Sequence, residues 1–320
     1  MPRFITETLV NELPYEPNTI KTLAIPTLGY ITRLELDLEL EVTTDSSNGG
    51  TPAEDALARI VKSLRVEVPG GKPYFAVADG RLLKYLNYLE FGRVEEEPLP
   101  TAAGVTAKVR AKYYVSLGFE PEDPFDPTVV IPATKLNDLQ MVVAWGNDSD
   151  LGTGYTVNSG KVKVTVRRIE LEEDEEETDI WPEGLNTPTF SSETLDVNSV
   201  VSDLGLQTNI PVGNVIRDIL ILQLDSADNR TDDIVSEVGL VIPATKETPF
   251  KMEWKALKIS TAKDYGLEAP VKGLAAIDLA DVTGIPVGLD TSLMSPGEWK
   301  LGFTTVATGG KLVLLYRQLS

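Results

Sequence analysis

Residues 34–42 read L-E-L-D-L-E-L-E-V, apolar at every even position with Glu35, Asp37, Glu39 and Glu41 between. A period of two belongs to a strand, whose side chains alternate across its two faces. The pattern predicts one face packed into a core and four carboxylates turned to solvent. On a helix the same leucines would be spread round the axis. Shorter strand-like runs follow at 63–68, 108–115, 140–145, 161–171, 215–224, 239–242, 253–259, 299–306 and 311–316, punctuated by Gly, Pro, Asn and Asp. Helical spacing is sparse: residues 81–91 place Leu82, Leu86 and Leu89 on one side, and 52–62 is a weaker stretch of helix formers. Many short strands separated by turn signals indicate an all-β sandwich or barrel rather than a βαβ fold.

The pattern also repeats. Setting Gly29 on Gly213, an offset of 184, pairs GYITRLELDLEL with GNVIRDILILQL and gives five identities in twelve positions, among them Arg33/Arg217, Leu36/Leu220 and Leu38/Leu222. Just upstream, Ile25-Pro26 matches Ile210-Pro211 across a one-residue gap. Near the end of each half, GKVKVTVRRI from Gly160 pairs with GKLVLLYRQL from Gly310, an offset of 150, so the first copy carries about 34 extra residues. Insertions of that size belong in loops. The hexapeptide VIPATK at Val130 and Val241 fits neither offset and is taken as coincidence. Between the copies, residues 172–179 hold seven carboxylates in eight positions, a density that self-repels and predicts an exposed linker at the domain boundary.

Composition narrows the function. The 320 residues contain no Cys and no His. Disulfides, thiolate nucleophiles, Ser-His-Asp and Cys-His catalysis, the usual zinc sites and imidazole acid-base chemistry are therefore excluded. Forty-nine acidic against 29 basic residues give a net charge of −20, the wrong sign for gripping nucleic acid or anionic lipid. Glu7, Asn11 and Glu12 interrupt the start of the chain, so no secretory leader is expected, and no apolar run is long enough to span a membrane.

Other candidate chemistry reads as turns or core. Residues 154–161, GYTVNSGK, have five residues between the glycines and Val162 after the Lys, unlike a phosphate loop, and are expected to form a hairpin turn. Residues 148–150 and 225–233 are hydrophilic tips able to hold a cation weakly or simply to turn. The acidic run lacks the spacing and central Gly of an EF-hand loop. Trp145, Trp181, Trp254 and Trp299 are scattered and predict core or interface positions rather than a sugar platform. Carboxylates suffice in number for a two-carboxylate glycosidase, though no pair can be named. No catalytic, cofactor-binding or metal-binding residue is assigned, and no cofactor is expected.

Two tandem sandwiches, each opened by I-P and G-x-[IV]-x-R and closed by a G-K-aliphatic strand, resemble the double jelly-roll major capsid proteins of icosahedral tailless viruses with an internal membrane. That lineage includes the corticovirus and tectivirus coats and the adenovirus hexon. The likeness runs over about residues 20–320 and includes ALARIVKSLRVEVPGGKPYFAVADGRLLKYLN and PATKLNDLQMVVAWG in the family's order. It implies an all-β chain of two tandem eight-stranded jelly-roll β-sandwiches with short inserted helices, each packing two four-stranded sheets, and, from the compact length, short tower loops. On this basis residues 1–20 are an N-terminal arm, 21–172 the first jelly roll, 173–190 the acidic linker and 191–320 the second jelly roll. The resemblance further implies a structural, non-enzymatic subunit. It would trimerise into pseudo-hexameric capsomers, tile an icosahedral virion shell assembled in the host cytoplasm, and meet neighbouring capsomers and minor capsid or vertex proteins. The arm would reach a neighbour or the internal membrane, and no direct sequence-specific nucleic-acid contact is expected. The alternatives are a minor virion or surface β-sandwich that binds glycan or another protein, and a carboxylate hydrolase. Placing Asp at Leu38 or Leu222 is expected to prevent folding.

Overall fold

The computed structural model describes residues 2–118, 127–172, 175–181, 184–285 and 288–320. The chain divides into two compact units, Met1–Pro188 and Thr189–Ser320. The first contains eight principal strands: β1 (Arg3–Thr8), β2 (Ile20–Ala24), β3 (Tyr30–Thr44), β4 (Val61–Glu67), β5 (Pro73–Val77), β6 (Thr106–Ser116), β7 (Gln140–Trp145) and β8 (Tyr155–Glu170). The second repeats them as β9 (Pro188–Val197), β10 (Leu206–Asn209), β11 (Val215–Leu224), β12 (Val235–Ile242), β13 (Glu247–Glu253), β14 (Leu274–Asp278), β15 (Lys300–Thr305) and β16 (Gly310–Leu319). In the first unit one sheet has the order β1-β8-β3-β6 and the other β2-β7-β4-β5. In the second the orders are β9-β16-β11-β14 and β10-β15-β12-β13. Adding eight to every strand of the first unit reproduces the second. These are two eight-stranded jelly rolls in tandem.

The pairing of the third and eighth strands fixes where the copies correspond. In the first unit Arg33 lies opposite Arg167, and Thr32 is then skipped as Ile31 meets Arg168. In the second, Asp218 lies opposite Arg317, and Arg217 is skipped as Ile216 meets Gln318. The bulge thus sits at the same place in both, with β11 following β3 by 185 residues and β16 following β8 by 150. The leucine match at 184 is one residue out of register, and a one-residue slip moves every side chain to the other face. Leu36 and Leu38 look into the first sandwich, where they meet Leu64 and Val143 of the opposite sheet. In the second sandwich Ile219 and Ile221 join the core with Leu312, Leu314 and Tyr316, while Leu220 and Leu222 are buried on the other face. The position equivalent to Leu38 is Gln223, buried with its Oε1 accepting from the backbone N–H of Ile234 and Val235.

Several elements differ from the sequence expectations. The first residues of the expected arm are a jelly-roll strand: Arg3–Thr8 pairs with β8 from Glu170 to Thr165, and Leu13–Pro14 pairs with Val162 and Lys161. Residues 254–259, expected as strand, begin the helix Trp254–Asp264, which buries Trp254, Leu257 and Thr261 at helical spacing. The expected helix at 81–91 is Gly80–Phe91, here α1, capped by Asp79, whose side chain accepts from the N–H of Arg81, and closed by left-handed Gly92. With Trp254–Asp264 as α2, each unit inserts one long helix between its fifth and sixth strands. The weaker stretch at 52–62 yields only the turn Ala56–Arg59. VIPATK also serves two purposes: at 130–135 it bridges Ile131 to Ile31 and enters a 3-10 turn, and at 241–246 it ends β12. Its recurrence carries no structural repeat.

Leu38→Asp or Leu222→Asp, each burying an unpaired charge, is expected to abolish folding, read as loss of a cooperative circular-dichroism melt. Deleting residues 2–8 removes the six cross-strand pairs of β1 and is expected to cost the first unit at least about 2 kcal/mol in urea unfolding, whereas loss of a free arm would leave the midpoint unchanged.

Candidate assembly surfaces

The outward face of the first jelly roll's β1-containing sheet is ordered by charge. On the central strand, Glu35, Asp37, Glu39 and Glu41 do not simply face water: Glu35 is buried and the other three are half-buried. The reason lies in the strands on either side. Across β6, Asp37, Glu39 and Glu41 lie opposite Lys112, Arg110 and Lys108. Across β8, Asp37 and Glu39 lie opposite Lys163 and Lys161. An acidic row is thereby enclosed between two basic rows, and cross-strand pairs of opposite sign stabilise that register. Glu39 accepts Arg110 Nη2 at 2.9 Å, and Glu12 draws Lys161 and Lys163 to 3.0 and 3.3 Å.

Glu35 is the focus of this lattice. Its Oε1 accepts from Arg33 Nη2 at 2.6 Å and from Arg167 Nε at 2.7 Å, and Lys112 Nζ lies 2.9 Å from Oε2. Burial pushes its carboxyl up, but the hydrogen bonds and charges of Lys112, Arg33 and Arg167 overcome this, so its pKa lies below the ordinary 4.5. In the second unit Leu220 stands where Glu35 does, and the ion pair lies at the position of Arg33 and Arg167 instead. Asp218 accepts both Arg317 Nε and Nη2, and both side chains are buried.

The expected acidic linker is anchored where it is described. Glu177 accepts the Tyr30 hydroxyl at 2.5 Å and Lys135 Nζ at 2.8 Å. Trp181 packs against Tyr30 with ring centroids 4.8 Å apart and donates its indole N–H to the Pro127 carbonyl. A satellite core of Tyr30, Val130, Ile169 and Trp181 therefore holds the connector to the first unit. Residues 173–174 and 182–183 of the linker lie outside the described residues.

The remaining sequence candidates are absorbed into structure. Residues 155–161 are strand rather than hairpin, with only Gly154 at positive φ just before β8. Asp150 accepts the Asn147 N–H and pairs with Lys62. In the 225–233 tip, Asp225 accepts from the N–H groups of Ala227 and Asn229, and Asp232 accepts Trp254 Nε1 and Lys258 Nζ at 2.9 and 2.5 Å. Among the described residues, no cluster of three or more carboxylates is arranged to hold a metal ion. Trp145, Trp181 and Trp254 are buried, and Trp299 packs partly buried against the second core. What the sequence reading missed is the set of partners that turns the carboxylates of β3 inward. The alternating Lys and Arg of β6 and β8 were the available signal.

No family model and no curated protein matches the chain. Solved structures do. The STIV major capsid protein superposes with a TM-score of 0.83 at 16% identity, covering 99% of this chain and 96% of that one. The chain has the double jelly-roll capsid fold. A PBCV-1 virus capsid model gives 0.63 at 11% identity, covering 100% of this chain and 94% of that chain. The major capsid protein P2 of bacteriophage PM2 gives 0.55 at 13% identity, covering 100% and 98%. In each case the likeness spans both jelly rolls.

Glu35→Gln removes the negative centre of three cations and is expected to cost about 3 kcal/mol. Because folding lowers the pKa of Glu35, its contribution is complete above pH about 4.5 and is lost as pH falls through the folded value. Urea midpoints of the wild type should therefore fall on acidification in that window, and Glu35→Gln should flatten the fall.

Proposed function

We propose that this chain is a structural major capsid protein: three copies form a pseudo-hexagonal capsomer, and capsomers tile an icosahedral virion shell. The observation that carries this reading is the full-length likeness of both jelly rolls to the STIV major capsid protein. Two sandwiches per chain give a trimer six, which suits a hexagonal lattice. Function then resides in interfaces, and no enzymatic step or cofactor belongs to the reading. Shell partners are other capsomers and minor or vertex proteins, with assembly in the host cytoplasm. The N-terminal segment would meet a neighbour or an internal membrane through the side chains it leaves exposed, Phe4, Val10 and Ile20. A net charge of −20 argues against sequence-specific nucleic-acid contact.

A stable trimer needs at least about 800 Å² buried per partner. Native mass measurement of the purified protein is expected to give three times the 34.8 kDa chain mass at micromolar concentration. A strictly monomeric protein across low and high salt would overturn the proposal.

A further inference from the structure

On the outward face of the first jelly roll, one carboxylate is shared by three cations, since Arg33, Lys112 and Arg167 all converge on Glu35. Asp37 lies across from Lys112, and Arg93 stands 3.7 Å from Glu95 at the rim. Counting these, the patch holds four positive and three negative side chains on a chain whose net charge is −20. Beside it opens a hollow of about 210 Å³ whose wall includes Arg33, Phe91, Arg93, Lys112 and Tyr114 and one carboxylate, Glu95, so that three cations face one acid there. The Tyr114 ring is flanked by the Arg33 guanidinium at 5.3 Å and the Lys112 ammonium at 5.4 Å, and the Phe91 ring meets it edge-on at 5.2 Å. Arg33 and Lys112 are thus held in place by Glu35 and the Tyr114 ring before any ligand arrives, while Arg93 extends into solvent beside Glu95. Fixed guanidinium groups beside aromatic rings recognise carboxylates well and are typical of the residues that dominate protein interfaces.

We infer that this hollow seats a carboxylate-rich segment of a second copy of the chain, with Arg93 and Lys112 receiving its acidic side chains. The inference rests on the shell reading, in which the neighbour of each copy is another copy. Charge complementarity selects the occupant: the hollow is a cationic spot on a strongly acidic chain, and that chain carries its carboxylates in dense runs, seven of them in residues 172–179. A hollow of this volume admits a few side chains rather than a folded element.

Arg93 is the residue to test, because its side chain is 78% exposed and its replacement leaves the buried Arg33–Glu35 pair intact. Association of Arg93→Glu, followed by sedimentation velocity at low salt, is expected to be at least tenfold weaker than wild type with an unchanged thermal melt, while Arg93→Lys associates nearly as wild type. In parallel, carbodiimide coupling of a mixture of unlabelled and nitrogen-15 protein should give isotope-mixed peptides joining Lys112 to an Asp or Glu of the other copy. If the wild type associates but Arg93→Glu does so with equal affinity, or Lys112 couples only within one isotope, the inference is overturned and the shell reading stands. A wild type that never associates removes the shell reading and the inference with it.

Discussion

Both halves of the molecule depend on the register between the third and eighth strands of each jelly roll. Because side chains alternate, a slip of one residue would turn Leu36 and Leu38 out of the first sandwich and bring Glu35 and Asp37 in. Two kinds of force oppose the slip. Inside, the apolar positions of β3 meet Leu64 and Val143 of the facing sheet. Outside, the acidic row of β3 is enclosed by the basic rows of β6 and β8, which face it in the observed register and would be turned away from it by a one-residue slip. In the second unit the outward row is apolar, and the polar specification is concentrated in Asp218 with Arg317 beside the bulge. The same strand pairing is therefore secured by a charge lattice in one copy and by a buried ion pair with leucines in the other.

The central strands were the legible part of the sequence. β3, β6, β8, β11 and β16 are long and apolar on at least one face, and their pattern alone locates them. The edges were not. β1, RFITET, is exposed along both faces and so lacks alternation, which made its residues look like an arm. β14, LAAID, is dominated by small residues, and β13 contains Pro249 and alternates weakly. Trp254 and Leu257 fall in the run 253–259 that reads as a strand of its own, although with Thr261 they form the buried stripe of α2. The repeat itself was visible, but its exact alignment was hidden by Gln223, a polar residue at a core position that only its backbone partners at Ile234 and Val235 explain.

The candidate site was less legible than the fold, and for a physical reason. A catalytic centre announces itself by residue type, and a chain without His or Cys offers little to announce. An assembly surface is made by side chains that the topology brings together from distant positions. Arg33 is a same-strand neighbour of Glu35, but Lys112 and Arg167 come from β6 and β8, and nothing in their local sequence links them to Glu35 beyond the alternation of charge along each strand.

If two copies of one sandwich per chain supply the six sandwiches of a capsomer, electron cryo-microscopy of the purified protein should show three-fold particles in which each chain contributes two jelly rolls, giving a pseudo-hexagonal outline. Particles that resolve as single chains, or as closed assemblies without three-fold symmetry, would contradict it.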